Sequence, residues 1–171
     1  MCIVIDTNTL SKVFRSDDKK HPEFEPVLKW IIENNGKMIV GGTDFNRELF
    51  GKIDWFRKLF IQLKDLNKVV VISDAKVDAH QKKIMAMKKH RDFDDPHIIA
   101  LLATSKCRVL CTGDSRSFPF IQDRELYPKN VQPPSIYSKK KNAGLLCNEN
   151  IADCCLPKVK LNKKVIAQIK I

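Results

Sequence analysis

A chain of 171 residues has room for one α/β domain with a real core and an appendage, and not for two ordinary domains. Its 43% apolar content is that of a globular protein, and no uninterrupted apolar stretch approaches the roughly eighteen residues a membrane span needs. The 31 basic against 20 acidic side chains give a net charge of +11, which makes a polyanion a reasonable partner.

No basic leader precedes a long apolar segment, so neither secretion nor membrane insertion is expected, and a cytoplasmic location is. The six cysteines (Cys2, Cys107, Cys111, Cys147, Cys154 and Cys155) contain no CxxC pair, and three fall inside apolar runs. They read as reduced, mostly buried thiols. The spacing of Cys147, Cys154 and Cys155 fits no usual zinc finger.

The chain opens with an apolar run that ends abruptly in Asp6, which reads as a buried strand with a carboxylate at its C-terminal end. Thr7 to Phe14 can start a helix at once, and Ser16 to Pro22 is a polar, loop-like interruption. A helix fits Glu25 to Asn34, stopped by Asn35-Gly36. Lys37 to Gly41 follows as a short strand, Gly41-Gly42 as the turn, and Thr43 as an N-cap for one long helix through about Leu63. On it Phe45, Leu49, Ile53, Phe56, Phe60 and Leu63 recur at three- and four-residue steps and form one apolar stripe.

Val69 to Ile72 is strand-like, Asp74 to Lys89 helical with a basic end, and His90 to Asp95 a loop. Pro96 to Ser105 is helical and apolar almost all round, which implies a buried helix, and Arg108 to Cys111 is a fourth strand ended by Thr112-Gly113-Asp114. Short, nearly continuous apolar strands alternating with helices predict a parallel sheet covered on both faces, a three-layer α/β/α sandwich. Right-handed crossovers bring the C-terminal ends of its strands to one edge. Beyond about residue 130 the texture changes, with Pro133-Pro134 and Lys139-Lys140-Lys141. Residues 131–171 are expected as a basic C-terminal extension, with Val159 to Leu161 and Val165 to Ile171 pairing as a hairpin across Asn162-Lys163.

Four acidic residues stand where such a fold brings them together: Asp6 and Asp114 at strand ends, Glu48 near a helix start, and Asp95 at the mouth of the buried helix. Glu48 lies about sixty degrees from Phe45 around the helix, at the border of core and solvent. Clustered carboxylates repel unless a cation neutralises them, and metal-assisted phosphodiester hydrolysis needs such an oxygen-rich set. With no histidine at the four positions, Mg2+ or Mn2+ is favoured over zinc.

Each residue also has a purely structural explanation. Asp95 before Pro96 is a good helix N-cap, Asp114 a turn residue bonding its own backbone, and Glu48 taken singly an ordinary surface glutamate. Asp6, directly after Ile3-Val4-Ile5, is half-buried and needs a partner. Asp94 competes with Asp95 as the ligand. His97 reads as structural, and His90 beside Arg91 as a group within reach of phosphate.

Taken in order, these residues resemble the PIN-domain nucleases: Ile-Val-Ile-Asp6-Thr7-Asn8, then Arg47-Glu48-Leu49, then Asp95 opening a small apolar helix, then a strand ending in Thr112-Gly113-Asp114. The resemblance covers roughly residues 1 to 125. It implies a metal-dependent ribonuclease with Asp6, Glu48, Asp95 and Asp114 as the acidic metal-binding set, Thr7 or Asn8 positioning the metal or its water, and often a dimer. It also raises the toxin role of compact members, which act with an antitoxin. Two departures stand out: Ser115, Arg116 and Ser117 occupy the place of a further acidic residue, and the tail exceeds that of the compact toxins.

Lys12, Arg15, Arg47, Lys52 and Arg116 lie near the acidic set in sequence and can contact phosphates flanking a scissile bond. Aromatic residues for base stacking are not clustered near the motifs. The competing readings are a PIN-like module that binds RNA or a protein without cutting, and a phosphoryl-transfer enzyme with Asp6 as nucleophile. The latter pattern needs an aspartate two residues on, where Asn8 stands.

Overall fold

The structure, a computed structural model, describes residues 2–51, 54–88, 90–91, 93–150 and 152–169. Four strands form on the expected apolar runs: β1 (Cys2–Ile5), β2 (Lys37–Val40), β3 (Val69–Val71) and β4 (Val109–Cys111). A fifth, β5 (Ser135–Tyr137), comes from the stretch expected to be an appendage. All five pair in parallel in the order β3, β2, β1, β4, β5, with Val4 beside both Ile39 and Leu110, and Leu110 beside Ile136. Helices surround the sheet, giving the expected α/β sandwich. Every residue of β1 is inaccessible to solvent, so its alternating side chains are covered on both faces.

The chain builds outward from β1 through β2 and β3, then returns to add β4 and β5 on the other side. This reversal opens a crevice between the C-terminal ends of β1 and β4, the place where open α/β sheets bind ligands.

A short 3-10 turn (Thr7–Thr9) leads into α1 (Leu10–Phe14), followed by α2 (His21–Glu33). The second helix starts four residues earlier than expected, because Pro22 sits in its first turn, where a missing N–H goes unneeded. The single helix expected from Thr43 to Leu63 is two, α3 (Thr43–Gly51) and α4 (Asp54–Asp65); Lys52 and Ile53 of the stripe lie outside the described residues. The rings of Phe50 and Phe60 meet edge to face at 5.0 Å, whereas ten residues of straight helix would separate them by about 15 Å, so α3 and α4 are not one straight helix.

Thr43 is the first residue of α3 rather than its cap. Its N–H and Oγ1 donate to the Asp78 carboxylate at 2.8 and 2.6 Å, and the Gly42 N–H donates to Asp74 at 2.7 Å. Both carboxylates come from α5 (Asp74–Met87) and satisfy the positive end of α3 from outside. Gly41 allows the preceding turn: its φ is +146°, and a Cβ there would lie 2.4 Å from the Ile72 carbonyl oxygen. The buried helix is α6 (Pro96–Ser105), followed after β4 by α7 (Phe118–Ile121).

The expected C-terminal hairpin is absent among the described residues. Asn162, read as a turn residue, instead accepts a hydrogen bond from the Val165 N–H at 2.9 Å and caps α8 (Lys163–Ile166), while residues 170 and 171 lie outside the described residues. Short alternating runs alone hold a two-stranded ribbon only marginally, and local capping prevails.

Three ties hold the tail to the rest of the domain. Tyr137, fully buried on β5, donates from its hydroxyl to the Glu23 carbonyl at 2.9 Å. Lys68, also inaccessible, donates from Nζ to the carbonyls of Asn34 and Val159, each at 2.7 Å. Cys155 is joined to Cys2 of β1 by a disulfide, with their Cα atoms 6.2 Å apart. The expectation of six reduced thiols therefore fails at this pair, which sequence leaves 153 residues apart and the fold brings within bridging distance. The third sulfur beside the pair belongs to Cys154 rather than Cys147. Among the described residues no helix is long and apolar enough to cross a membrane.

Candidate functional site

Asp6 is the first residue past β1 and Thr112 the first past β4, and the sheet's ladder continues through both. The Asp6 N–H donates to the Cys111 carbonyl at 2.9 Å, and the Thr112 N–H to that of Tyr137 at 3.1 Å. The two side chains meet: Thr112 Oγ1 donates to Asp6 Oδ2 at 2.7 Å. Asn8 adds its Nδ2 to the same oxygen at 2.7 Å and its backbone N–H to Oδ1 at 3.2 Å. Asp6 is only 4% exposed. Burial pushes its carboxyl above the ordinary range, the Thr112 and Asn8 donors pull it back, and the charge of Asp95 adds to the rise.

Glu48 is presented by α3, whose Phe45 and Leu49 are fully buried and seat the helix on the core. Its Oε2 accepts from Thr7 Oγ1 at 2.9 Å, so the residue after Asp6 orients the second carboxylate. In the crossover back to β4, α6 runs opposite to the strands and brings its N-terminus to the same sheet edge. Asp95 occupies the N-cap position there, yet its side chain makes no capping hydrogen bond; only its backbone carbonyl accepts, from the Ile98 N–H at 3.1 Å. Capping therefore does not account for this carboxylate. Burial, followed by the charges of Glu48, Asp94 and Asp114, raises the Asp95 carboxyl to about 6. A carboxylate crowded by its own sign is one that a cation would relieve.

Glu48, Asp95 and His97 each bring a ligand atom within 4.8 Å of the other two. His97 Nε2 is 3.7 Å from Glu48 Oε2, is buried, and has no hydrogen-bond partner. Burial lowers the pKa of this imidazole, opposed by the charges of Glu48, Asp44 and Asp6. His97 is buried on α6, as its structural reading expects, and it also stands beside two of the carboxylates. Its signal in the sequence was its place two residues after Asp95, on the first turn of the helix, where an apolar neighbourhood suggested a core role.

Asp114 is held differently. It accepts from the Arg116 N–H at 3.0 Å, the turn expected of it, and its two oxygens bind Arg116 Nε and Nη2 at 3.0 and 2.8 Å. That ion pair keeps its carboxyl below the usual range. Asp114, Asp94, Asp95 and Arg116 line a crevice of about 20 Å³, room for a water or two. A wider groove of about 430 Å³ is bordered by Arg47, Glu48, Asp94 and His97. Asp94 borders both but is exposed, and it is Asp95 that stands with Glu48 and His97.

The fold sorts the basic side chains. Arg47 is exposed and bound to Asp44 at 2.7 Å on the wider groove. Lys12 Nζ comes so close to Gly113 that a Cβ there would lie 2.8 Å from it. Arg15 pairs with Asp17 and lies over Trp55, 5.7 Å from its ring, in a separate groove; Lys52 is outside the described residues. Aromatic side chains do adjoin the acids, contrary to expectation: Phe93 and Phe120, 5.2 Å apart, line the small crevice. Phe93 comes from the loop before α6 and Phe120 from α7, which sequence order keeps far apart.

No protein-family model, curated protein or solved structure matches the chain. The fold and site define a doubly wound, all-parallel α/β domain with mutually interacting carboxylates at its switch point.

Proposed function

We propose that this protein is a PIN-like, divalent-metal-dependent endoribonuclease whose acidic set is Asp6, Glu48, Asp95 and Asp114. The observation that supports it most is Asp95, a half-buried carboxylate that caps nothing and is raised to about 6 among like charges. The carboxylates of the set suit Mg2+ or Mn2+, and an unpartnered buried imidazole stands beside them. When bound, such an ion supplies an activated water and stabilises the leaving oxygen of a phosphodiester.

The chain's own residues do the rest. Thr112 and Asn8 fix the Asp6 carboxylate, and Thr7 fixes that of Glu48, so both acids are oriented before any ligand arrives. Arg47 and Arg116 flank the carboxylates and offer donors to phosphates on either side of a scissile bond. The net charge of +11 draws RNA in without regard to sequence. Asp6→Asn keeps the volume and removes the charge. We expect it to fold and to lose cleavage, as wild type does in EDTA; cleavage retained by Asp6→Asn sinks the proposal.

A second reading, a PIN-like module that binds RNA or a protein without cutting, is favoured by the two-point pairing of Asp114 with Arg116, which already neutralises one of the acids. Undetectable Mg2+ and Mn2+ binding with intact RNA binding would select it.

A further inference from the structure

We propose that His97 is a metal ligand, and that Glu48, Asp95 and His97 form a mixed nitrogen and oxygen site that selects Mn2+ over Mg2+. This rests on the metal-dependent reading above and names the ion that site takes.

The side chain of His97 is 5% exposed, and its Nε2 is sealed from solvent with no hydrogen-bond partner among the described residues. Leaving a buried polar atom unsatisfied costs about 1–3 kcal/mol, so a native position of this kind calls for a partner. Among the described residues, the carboxylates of Glu48 and Asp95 each bring a ligand atom within 4.8 Å of one on His97. The 3.7 Å between Nε2 and Glu48 Oε2 is too long for a hydrogen bond. It is inside the about 4.2 Å that two ligands of one ion can span when each bond is about 2.1 Å.

Glu48 is held by Thr7 Oγ1, and Asp95 makes no cap, so one carboxylate is aimed and the other is uncommitted. His97 is fixed by α6, which is buried along nearly its whole length, and its ring packs against Phe45 at 6.4 Å. Three ligands from α3 and the first turn of α6 thus face one point from rigid elements. An imidazole contributes little to Mg2+, which prefers oxygen and retained waters, whereas first-row transition ions accept nitrogen readily. Among these Mn2+ is one that carboxylates also suit.

The test uses the full chain with Mn2+ alone or Mg2+ alone and reads binding rather than cleavage. Calorimetry should give wild type at least about tenfold tighter binding of Mn2+ than of Mg2+, and His97→Gln should lose about tenfold or more for Mn2+ while changing little for Mg2+. Electron spin-echo envelope modulation of the Mn2+-loaded protein should carry a directly coupled 14N that is absent in His97→Gln. Should that variant fail to fold, wild type labelled with 15N-histidine serves in its place, the 14N modulation giving way to 15N. Mn2+ bound without nitrogen coupling, or coupling that survives His97→Gln, overturns this inference and leaves the metal-dependent reading standing. No binding of either ion overturns both.

Discussion

Replacing Asp95 with Asn should make the metal-free protein more stable while weakening its hold on metal. The carboxyl is raised from 3.8 to about 6, by burial first and then by Glu48, Asp94 and Asp114. Felt in full, that difference penalises the ionised form by about 3 kcal/mol. The side chain is only half-buried and water screens part of its charge, so about 1–2 kcal/mol is the expected share. At pH 7.5 without metal, Asp95→Asn should therefore melt about 2–8 °C above wild type.

The pH dependence fixes the sign. Below about 3.8 the carboxyl is protonated in folded and unfolded chains alike and no penalty applies; between 3.8 and about 6 the folded chain keeps a proton that the unfolded chain has lost. Stability from this group is lost as pH rises through that window, and the gap between variant and wild type should close near pH 4. Thermal melts in EDTA at pH 4, 6 and 7.5 measure it. Adding Mn2+ should reverse the order, raising the melting temperature of wild type more than that of Asp95→Asn. An Asp95→Asn protein that melts at or below wild type at pH 7.5 refutes the claim that this carboxylate is held against its own charge.

Two further outcomes are expected. Thr7→Val removes the 2.9 Å hydrogen bond that orients Glu48 and should weaken Mn2+ binding about 3–10-fold with little change in melting temperature, read by calorimetry and thermal melts. Lys68→Met strips the donor from the part-buried carbonyls of Asn34 and Val159 and should destabilise the fold by about 1–3 kcal/mol. Limited proteolysis should then cut near Val159 sooner than in wild type; an unchanged rate of cutting argues that Lys68 does not secure the tail.

Much of this architecture was legible in local sequence, because strand and helix patterns are short-range. The apolar runs at Ile3-Val4-Ile5, Met38 to Val40, Val69 to Val71 and Val109 to Cys111 became four strands, and the all-apolar texture of Pro96 to Ser105 became a buried helix. The positions of Asp6, Glu48, Asp95 and Asp114 relative to those elements placed all four at one sheet edge, since parallel strands share that edge. Where the readings failed, a distant group had intervened. Asp74 and Asp78 took over the start of α3 from Thr43, and Phe60 met Phe50 in a contact that one straight helix along the apolar stripe does not allow.

Only tertiary structure could decide the partners. Ser135 to Tyr137 has little strand character until the edge of β4 offers it a ladder, and Cys155 is an ordinary thiol until the tail lies beside Cys2. Asp95 before a proline looks like a cap in any sequence; in the fold its side chain makes no capping bond and sits among like charges. His97 is the sharpest case. Two residues after Asp95 in an apolar helix it reads as core, because periodicity records which face is buried and not which atoms wait there. The packing of α6 beside α3 puts its nitrogen 3.7 Å from Glu48, a distance set by two helices meeting and not by the order of residues along either.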